Sequence, residues 1–324
     1  MKLTLALVSL LLLALTPPAH SADGKGKAGA PSSSWTVVPA QDCDNGIGPF
    51  RELTISSDGT FVAALRHDAC LWRAKDGHRI KQLDFAQPVV FAGNLLFHGD
   101  KIFDPTKLAV VGTNKLPRYG SDSRDVFAVV GPTSAAIQGF DRKVLIYDWN
   151  TKSARPFPGT GFALSSRFVV DADAWEDERP MTIRWTSIAA PSRQGSFRLS
   201  KNGEARLLHL GGDRAIFSYG MSGGIEVWQI PEGRRVATLP ADTIAPVGIS
   251  PDGKTMATCQ HVGEPDSNDY DVIIWNVDPL RKTAKIRVKL TNLPRELMFD
   301  DTARTLVVCD DSGACVFLRS TSRR

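Results

Sequence analysis

After its first fifteen residues the 324-residue chain has no apolar stretch long enough to cross a bilayer; charge interrupts every later run, and a spanning helix needs about 20 residues. A multi-span membrane protein is excluded. Charge of one sign is also lacking. The 39 Lys and Arg against 35 Asp and Glu leave a formal +4, too little to imply a polyanionic partner, so no nucleic acid is expected to bind. No Cys-x-x-Cys pair or His-Glu-x-x-His helix occurs, and no nucleophile elbow, phosphate loop or dinucleotide turn is expected either. No metal site and no cofactor are therefore predicted. There is no Asn-x-Ser/Thr acceptor, which leans towards a bacterial source.

What is present begins with a processing signal. Lys2 supplies the positive end, residues 3–15 an apolar run too short to span a bilayer, and Pro17-Pro18-Ala19-His20-Ser21 a small-residue exit. Residues 1–21 are read as a signal peptide and 22–34 as a flexible leader, which makes the mature chain periplasmic or secreted, with no stable membrane insertion. The domain is expected over 35–320, with 321–324 as a tail.

With Gly 27 and Pro 20, the chain is rich in turn formers, and the apolar runs of the domain are short and β-branched, as in Val272-Ile273-Ile274-Trp275. Two templates recur. Trp72-x4-Gly77-x2-Ile80-x2-Leu83 matches Trp228-x4-Gly233-x2-Val236-x2-Leu239, and residues 55–64 match 249–258 as strand, Asp-Gly turn, strand. Trp72, Phe103, Tyr147, Trp185, Trp228, Trp275 and Phe317 mark a repeat of about 41 residues, the length of a four-stranded propeller blade. The last repeat supplies only three strands (296–299, 305–310, 314–320). Trp35-Thr36-Val37-Val38 is predicted to complete it, joining the two ends of the chain. The innermost strands are expected at 51–56, 89–92, 126–130, 161–164, 206–210, 246–250 and 296–299.

On these residues the chain resembles a WD40-type β-propeller of seven blades, within the wider quinoprotein-like or YVTN-like superfamily. It departs from the family in lacking an intact Trp-Asp pair: the nearest are Tyr147-Asp148 and Trp275-Asn276. The expected fold is all-β, seven four-stranded antiparallel blades with the N-terminal strand closing the last.

Five cysteines leave at least one free in a monomer. Cys309 and Cys315 flank a hairpin loop, Cys43 and Cys70 should share a rim, and either pair is a possible disulfide; Cys259 reads as a core residue. His67, His98 and His261 follow second strands in three blades and read as turn histidines. The loop 171–179 starts like a calcium loop but has Trp175 at a ligand position and Glu176 at the required Gly, so it reads as an acidic loop.

Loops between second and third strands should share a face with the inter-blade loops. The candidate partner-binding residues there are Arg66, His67, Asp68, Phe140, Asp141, Arg142, Trp175, Glu176, Asp177, Glu178, Tyr219, Asp266 and Tyr270, aromatics as anchors and acids favouring a basic partner. The function expected is a non-enzymatic protein-interaction scaffold, monomeric, binding another protein. The rivals are a propeller enzyme of lactonase, hydrolase or quinone-dependent dehydrogenase type working in the central channel, and a structural spacer.

Overall fold

The structure, a computed structural model, describes residues 34–321 apart from 44–51, 66–67, 84–88, 100, 114–125, 132, 139–141, 162, 173–179, 203–204, 220–223, 240–243 and 265–266. Among the described residues there is no helix. After β1 (Trp35–Pro39), blade one pairs β2 (Glu52–Ile55), β3 (Phe61–Leu65), β4 (Ala69–Arg73) and β5 (His78–Leu83) in that order. Blade two is β6 (Val89–Ala92), β7 (Leu95–His98), β8 (Lys101–Asp104) and β9 (Ala109–Thr113); blade three is β10 (Val126–Gly131), β11 (Ser134–Gln138), β12 (Lys143–Asp148) and β13 (Ser153–Thr160). Blade four is β14 (Ala163–Leu164), β15 (Phe168–Ala172), β16 (Pro180–Ser187) and β17 (Gln194–Asn202); blade five is β18 (Ala205–Gly211), β19 (Arg214–Tyr219), β20 (Ile225–Gln229) and β21 (Arg234–Leu239). Blade six is β22 (Ile244–Ile249), β23 (Thr255–His261), β24 (Asp269–Val277) and β25 (Leu280–Lys289). Blade seven runs β26 (Pro294–Phe299), β27 (Thr305–Asp310), β28 (Cys315–Ser320) and, outermost, β1.

Pairing within blades is antiparallel, and β26 of the last blade packs on β2 of the first, closing a seven-bladed β-propeller. All seven marker aromatics fall on third strands. Blade two fits into few residues because Gly93-Asn94 makes a two-residue turn, Gly93 taking φ 62°. The inner strand of blade four is shorter than expected. Gly161 leaves it because its N–H donates to the Arg142 carbonyl of blade three (3.0 Å).

A blade is one sheet thick, so each face must bury itself against a neighbour. Along β3, Val62 and Ala64 pack with blade seven while Ala63 and Leu65 pack with blade two. This explains why central strands read as continuous apolar runs without alternation. Among the described residues, six apolar clusters each straddle two adjacent blades. The seam between blades seven and one holds Trp72 edge-on to Phe317 at 6.4 Å. Cys43–Cys70 and Cys309–Cys315 are both disulfides in the structure, and all four sulfurs belong to residues of this seam.

The seams also explain the repeated glycine five residues after Trp72 and Trp228. Gly77 (φ 69°) and Gly233 (φ 59°) occupy the turn between third and fourth strands in a left-handed conformation. Each also lies against the outer strand of the preceding blade: a Cβ on Gly77 would meet the Pro39 carbonyl, and one on Gly233 the ring of Phe197, which stacks on Trp228 at 5.3 Å. Gly93 is left-handed too, but open space surrounds it. Urea denaturation should therefore show Gly77→Ala and Gly233→Ala each costing about 2–4 kcal/mol, against about 1 kcal/mol for Gly93→Ala. Equal costs at all three would mean that backbone conformation alone, and not the seam, selects these glycines.

Candidate functional site

The turns between second and third strands and the connections between blades lie on one face. Asp68 is there, half-buried, accepting from the Gln82 amide at 2.7 Å. Arg142 is there too, exposed, with φ 61°. Arg66, His67, Phe140, Asp141, Trp175, Glu176, Asp177, Glu178 and Asp266 lie outside the described residues. The two remaining aromatics correct the expectation of exposed anchors: Tyr219 and Tyr270 are both buried, at 6% and 3% exposure. Tyr219 ends β19 with its hydroxyl turned inward, and Tyr270 packs edge-on against His261 inside the core between blades six and seven.

Tyr219 is held by Glu226, a wholly buried carboxylate in β20. Glu226 accepts from the Tyr219 hydroxyl (2.7 Å), the Trp228 indole (2.9 Å), Ser200 Oγ (2.7 Å) and the Arg235 guanidinium (2.7 Å). Burial opposes its ionisation, but the donors outweigh it and its pKa lies below the ordinary value. The same donation to an anion, added to burial, pushes the Tyr219 phenol upward. This network cross-links β17, β19, β20 and β21 and is structural.

A different group of residues forms a concave feature on this face. A cavity of about 750 Å³ opens between the inner strands of blades five, six and seven. All three strands are irregular there: β18 bulges between Leu207 and His209, β22 between Ile244 and Val247, and β26 between Pro294 and Glu296. Two of the irregularities have a cause in the sequence, since Pro246 and Pro294 have no N–H to give to a ladder. A bulge re-aims side chains. Here the wall carries Arg206, His209, His261, Arg295, Glu296 and Asp311 among apolar residues. Asp311 pairs with Arg295 at 3.1 Å. Asp310 beside it is buried and fixes the rim, accepting from backbone and hydroxyl donors of Thr291, Asn292, Ser312 and Ala314. The sequence reading placed His261 at the end of a second strand, and so on this face, but missed Arg206, His209, Arg295 and Glu296, which read only as inner-strand residues. The available signal was proline inside two inner strands.

His261 is satisfied by the Ser267 carbonyl at 2.8 Å. Burial pushes the Cys259 thiol up to about 12, so it is a core residue without thiolate chemistry. Among the described residues no three His, Cys, Asp or Glu side chains gather to hold a metal ion. Three catalytic text patterns do occur, contrary to the sequence expectation. Residues 248–255 spell a phosphate loop and 220–224 a nucleophile elbow, but the first is the hairpin between β22 and β23 and the second joins β19 to β20. Neither leads from a strand into a helix, the context that either chemistry needs. Gly248 is there because β22 lies so close to β26 that a Cβ would come within 2.6 Å of the Leu297 carbonyl. A dinucleotide-like string at 24–29 lies outside the described residues.

No protein-family model and no curated protein matches the chain. Solved structures do match. The structure of U3-55K superposes with TM-score 0.61 at 14% identity, covering 87% of this chain and 98% of that one. The WD40 repeats of RRP9 give 0.60 at 15%, over 91% and 99%. A chain of the Mitotic Checkpoint Complex gives 0.59 at 16%, over 97% and 100%. The chain is a seven-bladed β-propeller with WD40-repeat structural neighbours. At these identities the likeness establishes the propeller architecture alone.

Within this propeller, Glu226→Ala strands the Tyr219 hydroxyl and the Trp228 N–H in a buried site and should cost about 3 kcal/mol in thermal or urea unfolding. Because the folded pKa of Glu226 is lowered, its ionised form stabilises the fold fully above the ordinary carboxylate value and loses that effect as pH falls through the lowered value. The stability gap between wild type and Glu226→Gln should accordingly shrink in acid. A gap independent of pH would show that ionisation of Glu226 contributes nothing.

Proposed function

We propose that this propeller is an exported, non-enzymatic interaction scaffold that binds another protein through its loop-rich face. The observation that carries this reading is the coincidence of bulges in three consecutive inner strands, which open a large cavity on that one face. Ladder irregularities weaken a sheet, and three at one place are built for contact. One structural neighbour was solved as part of a complex, the Mitotic Checkpoint Complex, which is consistent with a scaffold role for the same architecture. Export is supported by the charged, apolar and small-residue pattern of residues 1–21 and by the two disulfides, which persist in oxidising compartments. The acidic segment Trp175-Glu176-Asp177-Glu178 and the exposed Arg142 are proposed as the outer part of the contact surface, with Asp68 on the same face.

Two measurements test this. Protein expressed with its natural N-terminus should be recovered beginning at Ala22 or Asp23 by intact mass; recovery with residues 1–21 attached refutes export by this signal. A pull-down from the envelope fraction should capture a protein with the mature chain and lose it when Trp175, Glu176, Asp177 and Glu178 are all replaced by Ala. Capture by both forms would keep the scaffold reading and move its surface. Capture by neither, with the β fold intact by circular dichroism, would overturn it.

A further inference from the structure

Inside the cavity are polar side chains that the propeller does not use. His209 follows the bulge of β18 and Glu296 that of β26, both half-buried, and neither makes a hydrogen bond or ion pair among the described residues. Neither is sealed from water, so each can exchange that water for a ligand. Burial pulls the His209 imidazole down to about 4, so it is neutral at pH 7. Burial also raises the Glu296 carboxyl above its usual value, with Arg295 opposing the shift. Arg295 is already tied to Asp311, whereas Arg206 on the same wall has no ion pair among the described residues. The remaining wall is apolar, from Leu207, Leu208, Pro246, Val247 and Leu297.

These groups select one ligand chemistry. The free cation is a guanidinium, whose planar fork matches a carboxylate bidentately. A neutral imidazole has a proton to donate to an anion. An ammonium group would be repelled by Arg206, and Arg295 beside Glu296 offsets the charge of that carboxyl. A volume of about 750 Å³ falls in the range of small-molecule sites. We propose that the cavity binds an aliphatic carboxylate, with Arg206 gripping the carboxylate, His209 donating to it, and the leucines and prolines covering the aliphatic body. The proposal goes beyond the scaffold reading and needs no protein on the rim. The carboxylate comes either from a free organic acid or from the C-terminus of a peptide.

The test is isothermal titration calorimetry of the purified protein at pH 7 with hexanoate, hexylamine and hexanol, and with a tetrapeptide ending in leucine as free acid and as amide. Hexanoate is expected to bind one to one near millimolar affinity, with hexylamine and hexanol silent. Arg206→Ala, an exposed position whose loss leaves the fold intact, should weaken hexanoate about tenfold or more. Glu296→Gln removes a carboxyl and offers a donor in its place, and should bind at least as well as wild type. The His209 imidazole resonance, assigned by its loss in His209→Gln, should move on titration. Tighter binding of the free-acid peptide than of hexanoate, abolished in the amide, assigns the carboxylate to a chain terminus; hexanoate binding without peptide binding assigns it to a free acid. Hexylamine binding as well as hexanoate, an unchanged affinity in Arg206→Ala, or no binding by either acid would overturn the proposal.

Discussion

The ladder between β1 and β28, running from Trp35 opposite Ser320 to Pro39 opposite Val316, converts seven separate sheets into a ring. Both faces of a blade are apolar, and a blade at the end of an open row would leave one face bare. Closure gives every blade two neighbours and removes the edges that an open arrangement would present to other chains. Reinforcement is concentrated at the same place. The Trp72–Phe317 contact lies in this seam, the Trp72 indole donates to the Gln41 carbonyl just beyond β1, and both disulfides belong to it. The seam that joins sequence ends therefore receives covalent support as well as packing.

What the sequence made legible follows from that architecture. The aromatic period was readable because each third strand carries one large aromatic, six of the seven buried, and the Trp-x4-Gly template because the turn five residues on presses against the preceding blade. Residues 55–64 and 249–258 resemble each other for a geometric reason: in both, a buried serine hydroxyl bonds the aspartate of the turn and accepts the N–H that opens the second strand. The terminal strand was legible because a three-stranded last repeat left Trp35-Thr36-Val37-Val38 as the only unpaired strand-forming segment.

The site was much less legible. Tyr219 and Tyr270 sit at strand ends next to polar loops, where a linear reading sees exposure, but their rings turn inward and Glu226 captures the Tyr219 hydroxyl. The cavity depends on register shifts in β18, β22 and β26, and a shift is a relation between two strands that no single segment encodes. Only Pro246 and Pro294 hinted at it. The bulge at Leu208 has no proline, and nothing in its local sequence announces it. The catalytic-looking glycine string at 248–255 turned out to be a hairpin, because glycine is required both by phosphate loops and by tight strand reversals.

Ring closure by β1 is the central claim, and native-state hydrogen exchange tests it most directly. If β1 is the outer strand of blade seven, the amides of Thr36, Val38 and Ala40, the alternate positions turned to β28, exchange as slowly as those of 315–320, both through the cooperative opening of the ring. If these three exchange at the rate of an unstructured peptide while 315–320 stay protected, the chain does not close in this way, and the account of the seam between blades seven and one is wrong.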